Sequence, residues 1–250
     1  MVWLALISVL NFGSSALLRE SAHEKAGRSP SMLSRADVAS SLALVVVATP
    51  DISNRIVTGA LKEAAAIWSA AAVTLEWRVS TELSMTSESS TMQVILDEAS
   101  GSVSDQDLPL GWISFSSSGV PERIVHLSHR NASQLVDRAD AYRNRPTSYK
   151  ELLMARALGR ALAHELGHYL MASSNHAPSG LMKGRRLAEE LFSPVRAGFQ
   201  LNDDERRLAA HGLALTTANC KAGVKTPVEN LLYPARQPVC CDIEFRREGA

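Results

Sequence analysis

The amino-acid sequence predicts an α+β or α/β fold, built on a five-stranded, mixed and twisted sheet. The chain opens with a strand–helix–strand pattern, which implies a parallel pair of strands with a right-handed crossover. Three more strand patterns follow, and a long helical pattern comes after them. We therefore expect a sheet with one backing helix and a second, long helix, followed by a small region that is mostly irregular or helical.

The first three elements differ in the periodicity of their apolar residues. Residues 42–48, LALVVVA, form a continuous apolar run, which is typical of a strand buried on both faces. From Asn54 the apolar residues recur at helical spacing, and Asp51 or Ser53 can cap that helix. The alternation in residues 73–79 then predicts a half-buried strand whose core side carries Val73, Leu75, Trp77 and Val79.

Shorter patterns complete the predicted sheet and the helices. Three strands are expected at residues 92–96, 110–115 and 123–128, and a short helix around residues 134–139. The pattern from Ser148 to Met171 is helical and rich in Leu, Ala, Met and Arg. A last helix is expected in LNDDERRLAAHGL, with Asn202 or Asp203 at its start and Gly212 at its end.

Composition limits the classes of function. The 250 residues include 46% apolar residues, which is enough for a real core in one domain of ordinary to large size. Lys plus Arg equals Asp plus Glu at 26 each, so the net charge is zero. A balanced chain has neither the basic footprint of a nucleic-acid binder nor a polybasic membrane patch, and we expect no nucleic-acid partner.

The N-terminal residues resemble an export signal in their pattern. No charge occurs between Met1 and Arg19, residues 2–10 are apolar, and Ser14-Ser15-Ala16 could serve as a small-residue cleavage site. We expect residues 1–22 to be a signal peptide or an N-terminal hydrophobic segment, and residues 23–40 to be a linker or short pro-segment. An extracytoplasmic location, secreted or periplasmic, follows, with membrane contact only if the first segment is retained as an anchor.

The three cysteines give a weaker signal. Cys220, Cys240 and Cys241 all lie near the C-terminus, within an expected tail of residues 216–250 that has no assigned role. One bridge from Cys220 to either member of the adjacent pair could form in an oxidising compartment. No CxxC spacing occurs, so a zinc site built on cysteine has little support.

The motif HELGH, residues 164–168, contains the candidate metal ligands and a candidate catalytic carboxylate. On a helix, His164 and His168 lie on one face, one turn apart, and can direct two imidazoles at one ion. Glu165 is rotated by about 100° from His164, so its carboxylate lies beside an open position of the metal and can take a proton from water. Zinc suits such imidazoles and needs three protein ligands when one position stays open.

Two candidates exist for the third ligand. A glutamate on a later helix, Glu189 or Glu190 in LAEEL, could complete the site. Alternatively, a third histidine could follow shortly after the helix ends, and His176 is the candidate. We favour His176 because of its spacing and because SGLM follows it.

With these residues, the sequence resembles the metzincin metalloproteases, whose signature is HExxHxxGxxH followed by a Met-turn. The resemblance covers residues 41–200, and its Met-turn residue is Met182. His164 and Met182 are 18 positions apart, as in the matrixin branch, although His176 comes two residues later than the third histidine of the signature. Met171 stands where the signature has its turn-forming glycine, and we expect Asn175 to take the left-handed conformation instead.

The resemblance implies that residues 41–215 form a zinc endopeptidase domain with one catalytic Zn²⁺. His164, His168 and His176 would hold the ion, Glu165 would be the general base, and Met182 would form a floor beneath the ion. A peptide or protein substrate would lie along the exposed edge of the fourth strand, at Gly111, Trp112, Ile113 and Ser114. We expect the protein to be a monomer.

Other interpretations remain open at this stage. A gluzincin-like peptidase would use Glu189 or Glu190 as the third ligand and share the reaction. A zinc-stabilised binding module without turnover would have no need of Glu165. His126 and His129 lie on or just after the fifth strand, where matrixins carry a structural metal, but further ligands are not evident and a surface or core role is favoured.

Overall fold

A computed structural model describes residues 40–80, 91–99, 108–221, 238–240 and 242–243. The expected N-terminal segment 1–22 lies outside the described residues, and so does the expected linker 23–40 apart from its last residue. Within the described ranges, no helix is both long and apolar enough to cross a membrane.

A mixed sheet of six strands forms the centre of the domain. Its strands are β1 (Ser40–Ala48), β2 (Val73–Ser80), β3 (Thr91–Asp97), β4 (Gly111–Phe115), β5 (Pro121–Ser128) and β7 (Pro238–Cys240), in the order β2-β1-β3-β5-β4-β7. The strands β2, β1, β3 and β5 are parallel, and β4 runs antiparallel to β5. The predicted mixed sheet of five strands is therefore confirmed, and β7 is an addition that the sequence did not indicate. Two short strands, β6 (Arg185–Arg186) and β8 (Asp242–Ile243), pair with each other in parallel.

The helices agree with the predicted order. They are α1 (Asn54–Ser69), α2 (His129–Arg138), α3 (Asp140–Arg143), α4 (Thr147–Met171), α5 (Ala188–Phe192) and α6 (Asp203–Lys221), with a 3-10 turn at Ala197–Phe199. Ser53 caps α1 by accepting a hydrogen bond from the Ile56 N–H. At the start of α6, the Asn202 side chain accepts from the Glu205 N–H and the Glu205 carboxylate accepts from the Asn202 N–H, a reciprocal capping box.

Close packing between α1 and α4 fixes the helix that carries HELGH. A Cβ at Gly59 would lie 2.8 Å from the Ala155 Cβ, and one at Gly159 would lie 2.5 Å from the Ala60 carbonyl oxygen. Because glycine occupies both positions, the helix axes approach closely. The Trp68 indole also donates to the carbonyl of Ala163, directly before His164, at 3.1 Å.

A buried arginine connects α4 to the region after α5. The Arg160 guanidinium is fully buried, donates to Glu63 Oε1 on α1 at 3.0 Å and lies 4.4 Å above the Phe199 ring. It also donates to the carbonyls of Glu190, Ser193 and Val195. A buried charge is stable only when it is paired and fully hydrogen-bonded. These bonds therefore hold the segment from Glu190 to Val195 in one position against α4.

Burial on β2 differs from the prediction. Val73 and Leu75 are buried, but Trp77 is 37% exposed and Val79 is 56% exposed. Among the described strands, β2 lies at the sheet edge and pairs with β1, and the core covers the first half of β2. Strict alternation predicted the strand correctly. It could not show that the hydrophobic core ends halfway along the strand.

Two helix boundaries also differ from the prediction. Helix α2 begins at His129, since the Ser128 side chain caps it by accepting from the Asn131 N–H at 3.1 Å. Helix α6 continues beyond Gly212 to Lys221. A Cβ at Gly212 would collide with the carbonyl of Leu170 on α4, so this glycine permits a close helix crossing and is not a stop signal.

Candidate metal centre

Two histidines of the centre come from the buried last turns of α4. His164 and His168 are both buried, and their ring centroids lie 4.7 Å apart. The His164 Nδ1 lies 2.8 Å from the carbonyl oxygen of Leu181, and the His168 Nδ1 lies 2.6 Å from that of Ser173. A carbonyl can only accept, so both Nδ1 atoms carry the proton and both Nε2 atoms present a lone pair.

The chain leaves α4 through a left-handed residue. Ala172 has φ 46° and ψ 44°, and the Ser173 N–H then donates to the carbonyl of His168. Within the described residues, the positive-φ positions other than glycine are Ala72 and Ala172, so the expected left-handed conformation of Asn175 was wrong. The turn has to come directly at the helix end, because the carbonyl of Ser173 must return to His168.

His176 reaches the same point from the loop. Its Nε2 lies 3.3 Å from the His168 Nε2, and the Nε2 atoms of His164 and His168 are 3.0 Å apart. The Ala177 N–H donates to the carbonyl of Met182 at 2.8 Å, which closes the loop and fixes the residue after His176. The two extra residues before this histidine are therefore absorbed in the turn that follows Ala172.

The geometry of the three rings suits a tetrahedral metal ion. Two nitrogens that each lie about 2.1 Å from one tetrahedral ion are about 3.4 Å from each other. Two of the three separations, 3.0 and 3.3 Å, are close to this value, and the three ligand atoms all lie within 4.8 Å of one another. Among the described residues, His164, His168 and His176 are the group of side chains that could hold a metal ion together. The Nε2 lone pairs of His164 and His168 face each other and repel, and a cation between them removes that repulsion.

Burial keeps these imidazoles neutral. Desolvation lowers the pKa of His168 to about 4, against the opposing effect of its hydrogen bond to the Ser173 carbonyl. Desolvation, followed by the neighbouring His168, also holds the pKa of His164 well below its ordinary value. Neutral imidazole is the form that binds a metal, so the two buried rings are ready to act as ligands at pH 7.

Met182 packs against the helix that carries His164 and His168. It is buried and packs against Gly167 of α4, where a Cβ would collide with the Met182 Sδ. On the other side, a Cβ at Gly184 would lie 2.8 Å from the Cγ of His176. The two glycines thus leave room for the methionine and the third histidine, although the sequence analysis had not assigned them a role.

The two glutamates considered as alternative ligands lie elsewhere. Glu189 is exposed on α5. Glu190 accepts from the Leu187 N–H and from the Lys183 ammonium, and these bonds hold its pKa below the usual value although burial acts in the opposite direction. This carboxylate caps a helix, and the arrangement favours His176 as the third ligand.

Arg186 stabilises the turn that orients His164. It is buried, donates to the carbonyls of Gly180, Leu181 and Gly198, and lies 4.2 Å above the ring of Phe199. The carbonyl of Leu181 is also the acceptor for the His164 Nδ1. Partners of this kind fix the tautomer and the direction of a metal ligand. Nothing in the local pattern KGRRLAEEL indicated this role.

Glu165 lies between α4 and β4. It is buried, and a Cβ at Gly111 would lie 3.2 Å from its Cγ. Further along β4, the ring of Phe115 lies edge-on to His168, with centroids 6.4 Å apart. Strand β4 therefore borders the histidine cluster, and its glycine leaves space for the glutamate.

The outer edge of β4 is not open, contrary to the expectation for Gly111, Trp112, Ile113 and Ser114. Strand β7 pairs with it in antiparallel orientation, and Ile113 is opposite Val239. The expected tail thus contributes to the sheet through residues 238–240. The side chains of its cysteines lie outside what the structure describes, so the expectation of a disulfide bridge stays a prediction.

The two histidines near β5 have partners of another kind. His126 stacks on Trp112, with centroids 5.1 Å apart and nearly parallel rings, and desolvation lowers its pKa against the effect of Asp97 and Glu122. The His129 Nδ1 lies 2.5 Å from Glu98 Oε1. Both contacts agree with structural roles for these histidines.

We predict that His176→Ala weakens zinc binding by at least about a hundredfold. Loss of a residue that hydrogen-bonds to a metal ligand weakens metal binding by about 10–100-fold, and loss of the ligand itself weakens it more. The measurement is zinc content after dialysis against a mild chelator. Ser174→Ala, Glu189→Ala and Glu190→Gln are the controls and should keep one zinc per chain. Zinc loss in either glutamate variant, with retention in His176→Ala, would refute the assignment.

We also predict that the metal-free protein loses stability as the pH falls from about 6.5 to about 4. In this window the unfolded chain binds a proton at His168 and the folded chain does not, so protons favour unfolding. The free energy of unfolding should fall by about 3 kcal/mol relative to His168→Gln, which lacks the titrating ring. Parallel denaturation curves for the two proteins across this window would show that the ring titrates normally.

Comparisons with known proteins give a limited result. No family model matches the sequence, and no curated protein does. Among solved structures, the chain is similar to archaemetzincin from Methanopyrus kandleri, with 15% sequence identity and a TM-score of 0.41. The match covers 73% of this chain and 99% of the archaemetzincin chain.

Proposed function

We propose that this protein is a zinc-dependent endopeptidase of metzincin type. The observation that supports the proposal best is the convergence of three imidazole Nε2 atoms next to a buried glutamate on the same helix. Three neutral nitrogen ligands with a fourth position left for solvent are the donor set of catalytic zinc sites. A purely structural zinc site is usually closed by four protein ligands.

One zinc ion held by His164, His168 and His176 would supply a Lewis acid that polarises the scissile carbonyl and lowers the pKa of the attacking water to about 7. The residues of the chain prepare this chemistry. The carbonyls of Leu181 and Ser173 fix the tautomers of His164 and His168, and Met182 fills the space behind α4. The donors therefore need no rearrangement when the ion binds.

Glu165 acts as the general base in this proposal. It follows His164 on α4, so its carboxylate points beside the ligand face and toward β4. There it accepts a proton from the attacking water and later passes it to the nitrogen of the leaving amine. Burial at this position keeps bulk water away from the proton transfer.

The substrate in this proposal is an extended segment of a peptide or protein. Strand β4 borders the site, and the backbone N–H and C=O groups of its outer edge, which pair with β7 in the structure, are of the kind that binds a peptide in β conformation. A monomeric, exported protein with one catalytic zinc ion is part of the proposal, and the uncharged, mostly apolar pattern of residues 2–10 supports export. No nucleic-acid partner is part of the proposal.

We predict that Glu165→Gln keeps one zinc per chain and loses nearly all peptide hydrolysis, by at least about 10²-fold, because the amide cannot accept the proton of water. Hydrolysis is measured on casein and on a quenched-fluorescence peptide library, and zinc is measured on the same samples.

The matched control is Glu189→Gln, which makes the same change on the exposed face of α5 and should hydrolyse at the wild-type rate. Two results would contradict the proposal. A wild-type rate in Glu165→Gln would exclude its role as base. A zinc-loaded wild type with no turnover on any peptide would identify the chain as a binding module.

A further inference from the structure

The C-terminal strands, β7 (Pro238–Cys240) and β8 (Asp242–Ile243), lie on both borders of the metal centre. Strand β7 pairs with β4 in antiparallel orientation, with Trp112 opposite Cys240 and Ser114 opposite Pro238. A single residue later, β8 pairs with β6 in parallel orientation. The backbone therefore passes from one partner strand to the other within a few residues.

Strand β4 forms one border of the centre. A Cβ at its Gly111 would lie 3.2 Å from the Cγ of Glu165, and the ring of its Phe115 lies edge-on to His168. The backbone groups on its outer edge are those that an extended substrate would use. Strand β7 already lies along that edge.

Strand β6 forms a second border, because residues in it and directly before it contact Leu181 and His176. Its Arg186 donates to the carbonyl of Leu181, which in turn accepts from His164, and Gly184 directly before the strand lies against His176. Strand β8 pairs here, with Asp242 opposite Arg185. The C-terminal strands thus pair with two strands, β4 and β6, that both lie next to residues of the histidine cluster.

We propose that the C-terminal strands occupy the peptide-binding groove of their own chain and compete there with substrate. The inference rests on the proposed function, since it assigns regulation to the same site. The competition follows because the backbone N–H and C=O groups on the outer edge of β4 can pair with only one extended chain at a time. A substrate must therefore displace β7, whatever its side chains are.

A covalent tether makes this competition effective. Linkage through residues 222–237 raises the concentration of the C-terminal strands at the groove to the order of millimolar. If the free segment binds with a Kd of about 10–100 µM, the groove of the intact chain is closed in all but about 1–10% of molecules. Release of the tether and dilution should then raise kcat/KM by about tenfold to a hundredfold.

The experiment uses the full, zinc-loaded chain with residues 226–231 replaced by the recognition sequence of a specific protease. Peptide hydrolysis is measured before the cut, and again after the cut and dilution. Wild-type protein treated with the same protease is the control and should not change. We expect the cut chain to gain the stated ten- to hundredfold in kcat/KM.

Addition of a synthetic peptide with the sequence of residues 232–250 should restore inhibition, raising KM and leaving kcat unchanged. The peptide carries serine in place of Cys240 and Cys241, so that a free thiol cannot chelate zinc. A matched peptide, N-methylated at the backbone nitrogens of residues 239 and 240, cannot donate to β4 and should not inhibit. Inhibition by both peptides equally would overturn the strand-pairing proposal.

A readout without turnover separates the two proposals. In the zinc-loaded Glu165→Gln chain, hydrogen exchange of those amides within Gly111–Phe115 that point toward β7 should be slow before the cut, faster after it, and slow again with the unmethylated peptide. The amides that point toward β5 serve as the internal control. Unchanged exchange and unchanged hydrolysis after the cut would refute occupation of the groove. If neither form hydrolyses peptides although zinc is bound, the proposed function fails, and exchange alone decides whether the C-terminal strands occupy the groove.

Discussion

Two hydrogen bonds from imidazole to backbone carbonyl determine which ring nitrogen of His164 and of His168 faces the centre of this site. The Nδ1 of His164 donates to Leu181 and that of His168 donates to Ser173, so each ring must present its Nε2 lone pair inward. Both carbonyls belong to the loop that follows α4, and the same loop brings in His176. The helix provides the spacing of the ligands, and the loop provides their direction.

The rest of the fold holds these two carbonyls in place. Arg186 donates to the carbonyls of Gly180 and Leu181, and the left-handed Ala172 turns Ser173 back toward the helix. Arg160 fixes the segment after α5 to α4 and, through Glu63, to α1. Both arginines lie against the ring of Phe199, so one aromatic side chain connects the support of the helix with that of the loop.

Local periodicity was enough to predict most of the fold and the helical half of the site. A continuous apolar run indicated β1, alternation indicated β2, shorter patterns indicated β3 to β5, and helical spacing indicated α1 and α4. The i, i+4 spacing indicated His164 and His168. The spacing alone left His176 and the glutamates as alternatives, because it does not give the direction of a loop. Ala172 was missed since alanine seldom adopts a left-handed conformation, and only the need to return Ser173 to His168 explains it.

Contacts between residues distant in sequence were beyond such patterns. The pairing of β7 with β4 joins residues more than a hundred positions apart, and β7 begins at Pro238, a position that an edge strand tolerates. Gly212 resembled a helix end, although its role is the crossing of α6 over α4. In each case, the residue that explains the observed structure by contact is distant in the sequence.

X-ray absorption at the zinc edge of the metal-loaded protein tests the central claim most directly. The account predicts three imidazole nitrogens and one further light atom at about 2.0–2.1 Å, with one imidazole fewer in His176→Ala. A sulfur ligand at about 2.3 Å, or only two imidazoles in the wild type, would contradict the convergence of three histidines on one ion.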